Sequence, residues 1–130
     1  MKKHILSDTI SEKLKHKDFG FRCLLYSVSK SVGTFDVMIH NKRNVACGVK
    51  VMTHDDTATA GVDHQAINEI LAFAAGQTFK SVSVRIMETD GHRPDSHLAM
   101  QLYDATNGIP LVGKDTQTKI TIVDEGEAPQ

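Results

Sequence analysis

Asp55-Asp56-Thr57-Ala58-Thr59-Ala60-Gly61-Val62-Asp63-His64 is the stretch on which the reading of the chain turns. It is small, polar and rich in Thr and Ala, and no helical spacing of apolar residues runs through it. It follows Val45 to His54, where Val45, Cys47, Val49 and Val51 share one parity and Lys50 takes the other, as in a half-buried strand. Asp55 and Asp56 favour a turn by accepting nearby backbone N–H groups. Gly61 permits a backbone geometry that a β-carbon would resist. The stretch therefore reads as an ordered connection between strands that delivers the Asp63 carboxylate to one end of the fold.

The same alternation extends outward in both directions. Upstream, Leu24, Tyr26 and Val28 alternate with Ser27 and Ser29, then Phe35, Val37 and Ile39 with Thr34, Asp36 and His40. Ser31-Val32-Gly33 and Asn41 to Asn44 are the turns between these runs. Downstream, Val82, Val84 and Ile86, then Leu98, Met100 and Leu102, then Thr118, Ile120 and Ile122 repeat the pattern. Polar loops lie between them at Glu88 to Ser96 and Asp104 to Asp115. Asp63 to Gly76 reads two ways. Locally it is a helix, capped by Asp63, with Ile67, Ile70, Leu71 and Ala74 on one face and Gly76 as its stop. In context it is a strand, with Leu71 and Phe73 facing inward before a Gly76-Gln77 turn. Seven strand candidates joined by short turns predict an all-β, antiparallel β-sandwich. The domain reads as residues 21–126, with 127–130 a tail. Residues 1–20 are a tail or linker in which Thr9 to Glu12 fits a capping box and, with Leu14, a short helix.

At 130 residues, 40% hydrophobic and 24% charged, the chain fits one domain with its own core. A net charge of −1 argues against a nucleic-acid partner or a broad anionic-membrane surface, both of which call for a basic excess. No apolar run reaches the length of a membrane span, and no apolar segment follows Met1-Lys2-Lys3, so neither membrane insertion nor a signal peptide is expected. Two cysteines do not make a disulfide framework. Cys23 and Cys47 read as small buried hydrophobes, with one bridge between them as the alternative, and free thiols lean toward a cytoplasmic setting. Of the seven histidines, His54, His64, His92 and His97 lie near acids or one another, yet none has a zinc motif's spacing, and they read as surface residues. No nucleophile–base set and no phosphate loop appear, so neither an enzyme nor a small-molecule substrate is expected.

Four segments, in order, resemble a known family. The Asp55 to His64 stretch is similar to the "EDGTAxAGxDY" segment of Calx-beta domains. Tyr26-Ser27-Val28-Ser29 with Gly33-Thr34 resembles the family's opening "YxVxE…GT". Phe73-Ala74-Ala75-Gly76-Gln77-Thr78 resembles "FxPGET", and Thr118 to Glu125 resembles the closing "ATVTIxDDD". The resemblance implies a seven-stranded, immunoglobulin-like sandwich and makes Asp63 to Gly76 a loop and a strand. It also implies a non-catalytic module with a regulatory or interaction role in a larger membrane-associated or adhesion protein, as in sodium/calcium exchangers, adhesion receptors and extracellular matrix proteins. Its partners would be neighbouring domains or another protein.

The family's calcium chemistry, carried over by resemblance, falls on Asp63, Glu88, Asp90, Asp124 and Glu125. Calcium takes six to eight oxygens, so five carboxylates with carbonyls and water would hold one ion. This chain departs from the pattern at several positions. Lys30 stands where the family has an early glutamate, Thr89, Arg93 and Ser96 replace acids, and Gly126 ends the closing triplet. Lys30 or Arg93 would then neutralise the carboxylates in place of the ion. The expectation is a degenerate site with at most one weakly held calcium; the alternative is a metal-independent structural or adhesion spacer that binds a protein.

Overall fold

The computed structural model describes residues 14–89 and 94–124. Eight strands carry the fold: β1 (Phe19–Phe21), β2 (Leu25–Ser29), β3 (Thr34–Asn41), β4 (Cys47–Asp55), β5 (Asn68–Phe73), β6 (Phe79–Arg85), β7 (Ser96–Asp104) and β8 (Gln117–Val123). They form two sheets, one of three strands in the order β1-β3-β6 and one of five in the order β2-β8-β7-β4-β5. Between them lies the core. Val37 and Ile39 of β3 and Val82 and Val84 of β6 face Val49 and Val51 of β4, Leu98, Met100 and Leu102 of β7, and Ile120 of β8, all buried. The period-two alternation is what makes this possible, because alternate side chains of a strand leave opposite faces of its sheet.

Two features depart from a plain reading of the sequence. The eighth strand arises because the opening strand is split. β1 pairs antiparallel with β3, Arg22 to Leu24 crosses over, and β2 joins the other sheet in parallel with β8. The pairing is thus antiparallel throughout except at β2–β8. The sandwich also takes in Phe19 and Gly20, ahead of Phe21, with the Phe19 ring 6.0 Å from that of Phe73.

The local helix reading of Asp63 to Gly76 gives way to the contextual one. Residues 68–73 form the edge strand β5, with Val49 opposite Leu71 and Cys47 opposite Phe73. Helix propensity in this segment is worth only tenths of a kcal/mol per residue. Burying Leu71 and Phe73 is worth roughly 2 kcal/mol for each side chain, so packing decides. The proposed capping box at Thr9 to Glu12 lies outside the described residues.

Cys23 and Cys47 are both free. Cys23 is exposed rather than buried, because it sits in the crossover between β1 and β2; Cys47 is half-buried and its thiol meets Asn41 Oδ1 and the Val45 carbonyl.

Candidate functional site

The connections β2–β3, β4–β5 and β6–β7 and the end of β8 gather at one end of the sandwich. The Asp55 to His64 stretch is ordered there by its own polar groups. The Asp55 carboxylate accepts the Ala60 N–H at 3.1 Å and meets His64 Nε2 at 3.0 Å. Asp63 Oδ2 accepts the Thr59 N–H at 2.8 Å, which closes a five-residue turn through Gly61 at φ 85°. Two bonds then fasten this loop to the neighbouring connection, Met87 N–H to Asp63 O at 2.9 Å and Gln65 N–H to Arg85 O at 3.0 Å. Asp63 is consequently buried. The Ala60 N–H bond, opposed by some desolvation and helped by His64, holds the Asp55 carboxyl below its ordinary range.

Lys30 reaches the same place from β2. The parallel register sets Ser29 beside Val123 and the Lys30 N–H on the Val123 carbonyl at 3.0 Å, so the next residue of each strand, Lys30 and Asp124, are neighbours. The ammonium lies 3.2 Å from Asp124 Oδ1 and 3.3 Å from the Thr89 carbonyl oxygen. Both side chains are largely enclosed, at 13% exposure for Lys30 and 5% for Asp124. Lys30, Asp63, Thr89, Ser96 and Asp124 line a hollow of only about 10 Å³. That is barely room for one water.

Of the five expected ligands, the structure brings Asp63 and Asp124 together. Glu88 is exposed and does not line the hollow. Asp90, Glu125 and the second expected cation, Arg93, lie outside the described residues. Among the described residues no three His, Cys, Asp or Glu side chains gather as a metal-binding group. A divalent ion about 4 Å from the Lys30 ammonium would be repelled by roughly 8 kcal/mol, twice the unit-charge value at an effective dielectric of 20. The described residues of this end therefore do not fit a calcium ion while Lys30 keeps this position. Two of the residues that stand in place of acids, Thr89 and Ser96, line the hollow, and Thr89 serves the ammonium through its backbone carbonyl.

Sequence reasoning missed His64. It is fully buried rather than a surface histidine, wedged between the loop and Ile86 and held by Asp55. Only its position next to Asp63 hinted at this; the Asp55 pairing needs the fold of the loop. Thr57 was missed too: its hydroxyl accepts the His97 N–H at 2.7 Å and ties the loop to β7.

The sequence model of the Calx-beta domain matches residues 13–126. The chain belongs to the Calx-beta family. Solved relatives of this Calx-beta domain include the apo-form Calx CBD1 domain, 20% identical with a TM-score of 0.74 over 85% of this chain and 98% of that one. The calcium binding domain CBD12 of CALX1.1 is 21% identical with a TM-score of 0.74; the match covers 82% of this chain and 44% of that one, so this chain spans less than half its length. The Calx CBD2 domain is 18% identical with a TM-score of 0.71, covering 86% and 91%. At these identities the likeness to each structure is one of fold.

Proposed function

We propose that this Calx-beta domain is a non-catalytic interaction module whose acidic loop end is neutralised from within by Lys30 and works without metal. The observation that carries this reading is the enclosed Lys30–Asp124 pair, 3.2 Å apart, beside Asp63. A lysine there gives the loops a cation that never dissociates, so their order is constitutive rather than calcium-dependent. The module's task is then to present a fixed surface to a neighbouring domain or a protein partner, in a larger membrane-associated or adhesion protein. The CBD12 relatives, more than twice as long as the segment matched here, support a neighbouring domain as that partner.

A second reading, one weak calcium site, is supported by the convergence of Asp63 and Asp124 and by the calcium-binding relative. Thermal melting in chelator and in millimolar calcium separates the two. A ligand that binds only the folded state must add to its stability, by about 2.7 kcal/mol at a hundred times its Kd, and so raise the midpoint. The constitutive reading expects overlapping curves; a rise that Asp124→Ala removes would establish the weak site instead.

A further inference from the structure

The opposite end of the sandwich carries a groove of about 690 Å³, within the size range of ligand clefts. Among the described residues, Lys15, Lys17, Arg22 and Lys42 line it, against one carboxylate, Asp115. That carboxylate is already engaged: Oδ2 pairs with Lys42 Nζ at 2.6 Å and Oδ1 accepts the His16 N–H at 2.9 Å. Four cations against one acid leave the lining formally at +3, which puts the rest of a chain of net charge −1 at −4. The groove is therefore a local basic site on an otherwise acidic molecule.

Its wall is aromatic as well as charged. Phe79, 38% exposed, stacks on the His40 ring at 4.5 Å, and the Arg22 guanidinium lies 5.7 Å from the Phe79 centroid. Burial, reinforced by Lys42 and opposed by Asp115, pushes His40 below its ordinary range, so at neutral pH it adds a flat ring rather than a charge. Gly20 keeps the groove's floor open. A β-carbon there would stand 2.1 Å from Asp115 Oδ2.

We propose that this groove docks a short acidic peptide segment of a protein partner, its carboxylates on Lys17 and Arg22 and an apolar side chain against Phe79. Charge complementarity selects the sign of the ligand, and the exposed aromatic wall selects one that alternates acids with apolar groups. A recessed groove suits a strand of peptide better than a flat anionic bilayer. Nucleic acid, which needs a long basic track, finds only these few cations in the groove among the described residues. The proposal does not depend on whether the acidic end takes calcium.

The test is fluorescence anisotropy with a labelled eight-residue peptide of alternating Glu and Leu, in chelator. Saturable binding is expected, weakened at least ten-fold by Arg22→Glu and by Lys17→Glu, and several-fold by Phe79→Ser, which removes the ring without touching charge. A peptide of alternating Lys and Leu should not bind. The variants change exposed side chains, and circular dichroism checks that each keeps its fold. Absence of binding at millimolar peptide would overturn the proposal, as would affinity unchanged in both charge-reversal variants. Binding to phosphatidylserine vesicles without binding to the peptide would equally overturn it, in favour of a membrane surface.

Discussion

Among the described residues, Asp63 and Asp124 at one end of the sandwich share a hollow with one enclosed cation, Lys30; at the other, Lys15, Lys17, Arg22 and Lys42 line a groove with one enclosed carboxylate, Asp115. Each end thus encloses a pair of opposite charge, Lys30 with Asp124 and Lys42 with Asp115. The volumes differ sharply, about 10 Å³ beside Lys30 and 690 Å³ beside Asp115. Lys30 has the reach to fill its own end. Asp115 is short and is satisfied by Lys42 and a backbone N–H, and Lys17 and Arg22 line the open groove beyond it. The lesson is that a buried counter-charge closes a site only when it also supplies the volume. The acidic end is accordingly read as structural, and the basic end as available to a partner.

Breaking the closed end should have the largest effect. Lys30→Met keeps most of the side-chain volume but removes the ammonium from beside the enclosed Asp124 carboxylate, and should cost roughly 3 kcal/mol, the lower part of the range for breaking a buried pair, since Lys30 retains some exposure. Chemical denaturation measures this; a loss below 0.5 kcal/mol, typical of an exposed pair, would mean the bridge is only a surface contact.

The matching disruption at the open end is Gly20→Ala. The new methyl meets Asp115, which is buried and cannot swing away without leaving Lys42. A loss of about 2 kcal/mol is expected, as for other overpacked sites. Because β1 is docked by the Phe21 N–H on the Asp115 carbonyl, hydrogen exchange should rise in β1 first. Uniform exchange across both sheets would show that the two ends are not independent.

A smaller effect separates the ends by pH. Asp55 titrates below its ordinary range in the folded chain, chiefly through the Ala60 N–H. Its contribution is present above the unfolded carboxylate pKa and is lost as pH falls through the depressed folded value. Acidification below the ordinary carboxylate range should therefore loosen the Asp55 to His64 loop before β1, and Asp55→Asn should flatten that response. Amide exchange or NMR shifts of Ala60 report it; a loop unmoved at acid pH would remove Asp55 as its organiser.

Much of this was legible in the residues. The inward parities of β3, β4, β6, β7 and β8 follow from alternation alone, and the Asp55 to Gly61 turn chemistry from Asp, Thr and Gly. That Asp63 and Asp124 would share one end, with Lys30 or Arg93 as their counter-charge, came from the resemblance rather than from spacing; the structure places Lys30 beside Asp124. Other features were not local. The split of the first strand depends on which sheet offers Tyr26 and Val28 a partner, and nothing in Arg22-Cys23-Leu24 announces it. His64 looked like a surface residue because its partner Asp55 is brought near only by the folded loop. The basic groove was hidden because Lys15, Lys17, Arg22 and Lys42 are scattered in sequence within a chain of almost no net charge.

The most direct test of an internal cation is to exchange it for the acid the family carries there. Calcium-dependent melting of Lys30→Glu should rise by several degrees in millimolar calcium while the parent chain stays flat, because Asp63, Asp124 and the new carboxylate then face one another without an ammonium between them. A parent chain that already responds to calcium, with the response unchanged or lost in Lys30→Glu, would contradict the account.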